Sequence, residues 1–259
     1  MATLRIHRVN HTYFTKKSAT TALEDISLTI EEGEFVSFLG PSGCGKTTLL
    51  SIIAGLISPT KGTVTLDGKN IHRTKPRIGY MFQQDYLFPW KTIKENITIG
   101  LKMMNEWTEE KEEQALHLLE HVGLKGVDSH YPRQLSGGMR QRASLVRTLA
   151  IDPHILLLDE PFSALDFQTK LKLEELVSRT LRSFGKTALL VTHDIGEAIA
   201  MSDRIFLFSA RPGRIAKTFV VPQELRSLSP LDVRQHASYH FLFQRIWKEL
   251  DELETKTAH

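Results

Sequence analysis

The segment 40–47 constrains this chain more than any other, because its residues G-P-S-G-C-G-K-T match the phosphate-loop pattern G-x-x-x-x-G-K-[ST]. An apolar, strand-like run at 35–39 precedes the loop, and an apolar, helix-like run at 48–56 follows it. Glycine lets the backbone curl so that successive N–H groups point at phosphate oxygens, and the helix N-terminus adds about half a positive charge. The segment therefore predicts a nucleotide-binding α/β fold.

Two side chains of this loop carry specific expectations. Lys46 is placed to reach the β- and γ-phosphates, and the Thr47 hydroxyl is placed to bind Mg²⁺. Cys44 is the single cysteine of 259 residues, which excludes an internal disulfide and fits a reducing cytosol. We expect Cys44 to fill the loop as a small residue, with a redox role as the alternative. The predicted nucleotide contacts are Gly40, Pro41, Ser42, Gly43, Cys44, Gly45, Lys46, Thr47 and Thr48.

A second glycine turn, L-S-G-G-M-R-Q-R at 135–142, opens another helix-like segment at 139–150. Ser136 is placed to cap that helix, and Gly137 and Gly138 allow a phosphate to approach its N-terminus closely. Because the first loop can already wrap a nucleotide, the second turn would be idle in a monomer. We therefore expect an antiparallel pair of copies related by two-fold symmetry, in which each second turn closes over the nucleotide of the other chain.

Two carboxylates, Asp159 and Glu160, follow the apolar run 155–158, which is typical of a parallel strand buried on both faces. Ligand sites in open α/β sheets lie outside the carboxyl ends of the strands. We expect Asp159 to hold Mg²⁺ and Glu160 to orient or deprotonate an attacking water. The alternative is a pair of solvated acids in a turn.

Two further polar residues end strand-like runs. His193 follows 189–192 and is placed to hydrogen-bond the γ-phosphate and the water, while Gln83 follows 77–82. The neutral amide of Gln83 can contact Mg²⁺ or the water and withdraw without leaving a bare charge. The apolar run 86–90 comes next and predicts a docking surface for another protein, with packing inside the helical lobe as the alternative.

Composition limits the possible class and location of the protein. With 41% hydrophobic and 24% charged residues the chain has an ordinary soluble composition, and its net charge is only +3. We see no dense basic stripe with interleaved aromatics, so nucleic acid is not expected as a partner. The uncharged stretch 47–60 has 14 residues and is too short to span a bilayer, and residues 1–5 lack an apolar signal core. We expect a cytosolic chain that reaches a membrane only through a partner.

The order of the segments predicts the architecture. Alternating strands at 4–9, 23–30 and 62–68 suggest an N-terminal antiparallel sheet, and about 87–150 reads as an inserted helical lobe. Strands and helices then alternate to residue 209, which favours a parallel sheet with helices on its faces. We expect one domain at 1–221 and a C-terminal helical extension at 222–259, whose apolar stripe contains Leu242, Ile246, Leu250 and Leu253.

Over about residues 4–213 the chain resembles the ATP-binding subunits of ABC transporters. Segment 40–47 resembles Walker A, 135–142 resembles the ABC signature, and 155–161 resembles Walker B. The resemblance implies a P-loop NTPase core of the RecA-like type, with the antiparallel β subdomain and the helical lobe attached to it. It also implies a Mg²⁺-dependent ATPase with ATP and Mg²⁺ as its cofactors.

Smaller elements extend the resemblance to single residues. S-A-L-D at 163–166 resembles the D-loop, so Asp166 is expected near the bound nucleotide at the seam between two copies. Gln83 resembles the Q-loop glutamine and His193 the H-loop histidine. Tyr13 matches the aromatic residue that stacks on adenine in the family.

A finer resemblance is to importer ATPases of the nitrate/sulfonate/taurine type. It is carried by L-F-P-W at 87–90, A-R-P-G-R-I at 210–215 and R-I-W at 245–247. Gly196 is a departure, because the family more often has an acidic residue after the H-loop. The resemblance implies a head-to-tail dimer on transmembrane permease subunits at the cytoplasmic face of the membrane, served indirectly by an extracytoplasmic solute-binding protein.

Two alternatives remain at this point. A soluble ABC ATPase without a permease usually carries coiled-coil insertions or two tandem cassettes, whereas this chain has one cassette and no long heptad run. A plain P-loop kinase or GTPase would lack the signature at 135–142. Nucleotide-dependent dimerisation and the neighbouring reading frames distinguish these classes.

Overall fold

The computed structural model describes residues 3–163 and 165–257, which form two compact units: Met1–Pro76 with Ser178–His259, and Arg77–Val177. The strands are β1 (Leu4–Phe14), β2 (Ala19–Ile30), β3 (Phe35–Leu39), β4 (Lys61–Leu66), β5 (Lys69–Asn70), β6 (Ile78–Met81), β7 (Ile155–Asp159), β8 (Thr187–Thr192), β9 (Arg204–Phe208) and β10 (Ile215–Val220). The helices are α1 (Lys46–Ile53), α2 (Ile71–Thr74), α3 (Ile93–Met103), α4 (Glu109–His121), α5 (Gly137–Leu149), α6 (Phe167–Ser183), α7 (Ile195–Met201), α8 (Gln223–Arg226), α9 (Pro230–Val233) and α10 (Ala237–Thr257).

The first unit begins with an antiparallel sheet of order β2-β1-β4-β5. Leu4 and Ile6 of β1 are buried and their neighbours face outward, as the alternating sequence predicts. Both β1 and β2 run further than the predicted 4–9 and 23–30, because the hairpin continues with polar residues to the pair Phe14↔Ala19. Backbone pairing extends the strands beyond the part that an apolar pattern can reveal.

The same unit contains strands in the order β10-β9-β3-β8. β3 is parallel to β8 and β9, and Leu39 pairs with Thr192 and with Leu207. Every residue of β3 and β8 is buried, which explains their continuous apolar sequence. This register places the residues that follow β3, β8 and β9 at one edge of the sheet.

In the second unit β6 is parallel to β7, with Met81 opposite Leu158. Helices α3, α4 and α5 enclose an apolar cluster that includes Leu87, Leu119 and Val122. The helix-like segment predicted at 139–150 is confirmed as α5, and the N-caps of α3, α4 and α5 are Thr92, Thr108 and Ser136. The domain limits drawn from the sequence, 87–150 for the lobe and 221/222 for the extension, stay predictions.

The C-terminal segment folds back on the first unit. Leu242 and Ile246 are buried and Leu250 and Leu253 are half-buried, so the amphipathic stripe of α10 packs on the core. Its Tyr239 hydroxyl lies against Gly196 at the start of α7. In the described part of the chain, none of the helices combines the length and apolarity that a membrane span requires.

Candidate functional site

The phosphate loop occupies the turn between β3 and α1. Gly43 and Gly45 have φ angles of 75° and 95°, in the left-handed region that favours glycine. Gly45 is also the N-cap of α1, and no side chain caps the helix there. A helix N-terminus of this kind is suited to bind an anion through its first N–H groups.

Lys46 lies within this loop with 5% of its surface exposed. Its Nζ donates to the carbonyl oxygens of Gly40 and Pro41, at 2.7 and 2.9 Å. A cation held in this partly desolvated position interacts with a phosphate more strongly than a surface lysine would. The arrangement fits the predicted role of Lys46.

Cys44 is fully buried in the loop, and burial raises the pKa of its thiol. The thiol is therefore neutral at physiological pH, whereas a reactive cysteine needs a populated thiolate. These observations favour the packing role expected for Cys44 over a redox role.

Tyr13 and His193 belong to the same unit as the loop. The Tyr13 ring is 45% exposed and its hydroxyl lies 3.2 Å from that of Thr48 in α1. His193 is exposed directly after β8, at the sheet edge where β3 leads into the phosphate loop. The fold thus brings Tyr13, His193 and the loop to one end of this unit.

In the second unit a chain of hydrogen bonds joins three segments. Gln83 Nε2 donates to Ser163 Oγ at 3.0 Å, and Ser163 Oγ donates to the Glu160 carbonyl at 2.9 Å. Tyr80 of β6 donates its hydroxyl to Asp159 Oδ2 at 3.0 Å. The sequence did not indicate this contact of Tyr80. Tyr80 pairs with Leu157 of β7, and Leu157 lies on the same face of β7 as Asp159, two residues further along.

Glu160 has φ of 47°, a left-handed conformation that is uncommon outside glycine. The Ser163 N–H also donates to the Glu160 carbonyl, so a tight turn holds this conformation. Such strain costs about 1–3 kcal/mol and is concentrated at functional sites. This conformation is compatible with the role expected for Glu160, and seven other non-glycine residues in the described part of the chain also have positive φ.

The second glycine turn lies at the N-terminus of α5. Ser136 and Gly137 are exposed, and Ser136 Oγ accepts from the Met139 N–H at 3.4 Å, so the predicted cap is confirmed. A Cβ at Gly138 would lie 2.8 Å from Cγ2 of Thr169 in α6. Gly138 therefore permits close packing of two helix N-termini.

Asp166 caps α6 by accepting from the Thr169 N–H at 3.1 Å. Hydrogen bonds from Thr169, the side-chain bond most of all, hold the pKa of the Asp166 carboxyl below its usual value. Of the S-A-L-D segment, Ala164 lies outside the described residues.

Three side chains of α5 hold the backbone at 83–86, a set of contacts that the sequence did not indicate. Arg147 donates to the carbonyls of Asp85 and Tyr86, both at 2.7 Å, and its burial lowers its pKa. Gln141 donates to the Gln83 carbonyl at 2.9 Å, and Arg140 pairs with the Asp85 carboxylate at 3.0 Å. The Gln83 segment is therefore fixed to the helix that carries the second glycine turn.

The donor atoms of these residues suit the expected ligands. The phosphate loop offers N–H groups and an ammonium to phosphates, which fits ATP. Thr47 offers a hydroxyl oxygen, Gln83 an amide oxygen and Asp159 a carboxylate, all hard oxygen ligands of the kind that Mg²⁺ accepts alongside nucleotide phosphates. Thr47 belongs to the first unit, and Gln83 and Asp159 to the second.

A phosphate loop between a parallel strand and a helix, with a histidine directly after the neighbouring strand, defines a nucleotide-binding site of the P-loop class. The family model described as ABC transporter matches residues 23–163. The chain belongs to the ABC transporter family, and it binds and hydrolyses ATP as an ABC-type ATPase.

Two curated relatives match nearly the whole chain. An uncharacterised ABC transporter ATP-binding protein of Bacillus subtilis, YtlC, is 61% identical over 98% of this chain and 98% of its own length. The aliphatic sulfonates import ATP-binding protein SsuB of Bacillus licheniformis is 41% identical over 96% of this chain and 94% of its own length.

A solved structure confirms the fold class. It is a dimeric post-hydrolysis state of an ATP-binding cassette bound to ADP and Pi. The sequence of that cassette is 34% identical to this chain, and the match covers 85% of this chain and 99% of the cassette. The two structures superpose with a TM-score of 0.73. The predicted P-loop NTPase fold is therefore correct.

Proposed function

We propose that this chain is the ATP-hydrolysing subunit of an importer that moves a small sulfonate-like solute through a separate membrane permease. The observation that supports it most is the presence of a complete phosphate loop and a second, exposed glycine turn on one chain. The relative that imports aliphatic sulfonates supports the solute class. Nitrate and taurine are the other small solutes that the sequence resemblance implies.

In this proposal two copies bind head to tail, and each nucleotide lies between the phosphate loop of one chain and the Ser136–Gly138 turn of the other. The solved relative is dimeric with ADP and Pi, which supports such a pair. Tyr13 stacks on adenine, Lys46 binds the β- and γ-phosphates, and Asp166 lies at the seam. ATP drives closure because it binds the closed pair better than the open one.

Hydrolysis in this proposal uses three side chains. Glu160 takes a proton from the attacking water, His193 hydrogen-bonds the γ-phosphate, and Gln83 reports on the water or the metal. Thr47, Gln83 and Asp159 are the residues that would hold Mg²⁺, and the ion would supply positive charge to the phosphate oxygens. The Ser163 contact keeps Gln83 close to the Glu160 backbone before nucleotide arrives.

The permease docks, in this proposal, on an aromatic surface of the second unit formed by Tyr86, Phe88 and Trp90. Tyr86 is 59% and Trp90 70% exposed, while Leu87 is buried in the lobe. Exposed aromatics are typical anchors of protein interfaces. Because Arg147 binds the Tyr86 carbonyl, a force on this surface reaches α5 directly. The chain then sits peripherally on the cytoplasmic face, with a solute-binding protein as an indirect partner and without nucleic acid.

Reconstitution tests the proposal. The chain is co-expressed with candidate permease and solute-binding subunits from the neighbouring reading frames, and uptake of radiolabelled aliphatic sulfonate is measured in proteoliposomes that contain ATP. We expect ATP-dependent uptake that Glu160→Gln abolishes and that Trp90→Ala reduces at least about tenfold through loss of an interface anchor. Trp247→Ala, at another exposed tryptophan, is the control. Failure of the purified chain to associate with any such permease would instead support an ATPase without one.

A further inference from the structure

The turn between β9 and β10 is closed by its own hydrogen bonds. Ser209 N donates to the Arg214 carbonyl at 2.9 Å, and Arg214 N donates to Ser209 Oγ at 3.0 Å. Ser209 Oγ in turn donates to the Pro212 carbonyl at 3.2 Å. These hydrogen bonds lie within residues 209–214 and close the turn.

Gly213, in this turn, packs directly against the backbone of the phosphate loop. A Cβ at Gly213 would overlap the carbonyl oxygen of Cys44 and would lie 3.2 Å from that of Ala22. Gly213 N donates to the Ala22 carbonyl and its own carbonyl accepts from Glu24 N, each at 2.9 Å. The φ of Gly213 lies outside the left-handed region, so glycine is needed here for close approach alone.

The Ala22 carbonyl also limits the loop at a second point, because a Cβ at Gly45 would lie only 2.8 Å from it. Arg211 covers a third point: its exposed guanidinium lies against Gly43, and its Nε donates to the Gly43 carbonyl at 3.4 Å. The loop is thus in contact with β2 and with the 209–214 turn.

We propose that the 209–214 turn is an outer wall of the phosphate loop, and that Gly213 and Arg211 are positioning residues that hold its phosphate-binding curvature. A loop with left-handed glycines has many conformations available, and ordering it on binding weakens affinity. A wall that fixes the Cys44 and Gly43 carbonyls removes part of that penalty. The proposal rests on the nucleotide role of the loop and adds how the loop is held.

Gly213→Ala tests the wall with two readouts. The affinity for a fluorescent ADP analogue should fall at least about tenfold, since the new methyl group must displace the Cys44 backbone. The second readout needs no nucleotide. Cys44 is the only cysteine, so alkylation by N-ethylmaleimide reports on the loop alone. Displacement of Cys44 should accelerate that reaction at least about tenfold, because the thiol is buried and inert in the native loop.

Gly100→Ala is the matched control. It makes the same chemical change at a glycine whose φ lies outside the left-handed region, and there the new methyl group crowds the Ile151 side chain. Gly100 and Ile151 both belong to the second unit, whereas the phosphate loop belongs to the first. It should lower stability without accelerating Cys44 alkylation. Thermal unfolding of both variants separates loop displacement from general destabilisation.

Arg211→Ala covers the case in which Gly213→Ala does not fold. It should raise the nucleotide dissociation constant about three- to tenfold, and Arg211→Lys, which keeps the charge but loses the Nε donor, should fall between. If Gly213→Ala folds, native nucleotide affinity together with an unreactive Cys44 would overturn the proposal. If Gly213→Ala does not fold, native nucleotide affinity in Arg211→Ala would overturn it. A wild-type chain that binds no ADP would refute the nucleotide role, while the alkylation readout would still decide the wall.

Discussion

The two glycine turns of this molecule are built in different ways. In the phosphate loop, glycines take left-handed conformations and the backbone wraps the buried ammonium of Lys46. In the turn at α5, Gly137 and Gly138 are helical, and Ser136 and Gly137 face outward. The first turn is thus organised within one chain, whereas the second presents its groups at the surface.

This difference indicates which step each turn affects, nucleotide binding or hydrolysis. The phosphate loop has its donors and its charge in a single unit, so the nucleotide affinity of a single chain should depend mainly on that unit. The α5 turn is held to the Gln83 segment by Arg140, Gln141 and Arg147, so it should affect hydrolysis more than binding. Four changes test this division.

Lys46→Ala should have the largest effect on nucleotide binding. Each hydrogen bond to a charged group is worth about 1.5–3 kcal/mol, so losing the ammonium should weaken ATP binding by about 100-fold or more. Titration with a fluorescent ATP analogue measures it, and Lys61→Ala, an exposed lysine on β4, serves as the control. Equal affinity in the Lys46 variant and wild type would remove the distinction between the turns.

Arg147→Ala should lower the free energy of unfolding by about 2 kcal/mol, because two backbone carbonyls lose a charged donor. Urea unfolding at constant m-value measures the change. Arg133→Ala, at an exposed arginine, should shift the midpoint little. An Arg147→Ala variant as stable as wild type would mean that the contacts of Gln141 and Arg140 are enough to hold the Gln83 segment.

Gly138→Ala should slow hydrolysis about tenfold, because the added methyl group meets Thr169 and shifts the α5 turn. The ATP affinity of the monomer, measured at a protein concentration too low for dimers to form, should stay unchanged. Adding Thr169→Ser removes the opposing Cγ2 but keeps the hydroxyl, and should restore much of the rate. Steady-state phosphate release measures both. A loss of ATP affinity in the single variant would show that the second turn acts within its own chain.

Tyr13→Ala should weaken ATP binding about fivefold, the smallest effect of the four, since an exposed stacking contact is worth about 1 kcal/mol. Tyr13→Phe loses only the hydroxyl contact with Thr48 and should bind ATP nearly as well as wild type. Isothermal titration calorimetry distinguishes the two. If the phenylalanine variant were the weaker one, the hydroxyl would be the important group.

The sequence was informative wherever residue type dictates geometry. The glycines and lysine of the phosphate loop and the cap Ser136 are recognisable in the sequence because these residue types determine the local structure. The buried strands β3 and β8 are equally plain, because burial on both faces requires continuous apolar residues.

The sequence was uninformative where a backbone atom is the partner. Any residue supplies a carbonyl, so nothing in the sequence indicates that Arg147 binds those of Asp85 and Tyr86, or that Gly213 meets that of Cys44. The edge strand β10 was missed because its residues are mostly exposed and lack an apolar pattern. The contact of Tyr80 with Asp159 depends on strand register, which only the fold supplies.

The central claim is that one chain carries two partial sites that a second copy completes. Glu160→Gln keeps the shape of the side chain but removes its base, so ATP should bind without being consumed. With ATP and Mg²⁺, light scattering after gel filtration should give about twice the monomer mass of 29.4 kDa, and adding Gly138→Ala should reduce that dimer. A Glu160→Gln chain that is saturated with ATP yet remains monomeric would contradict the claim.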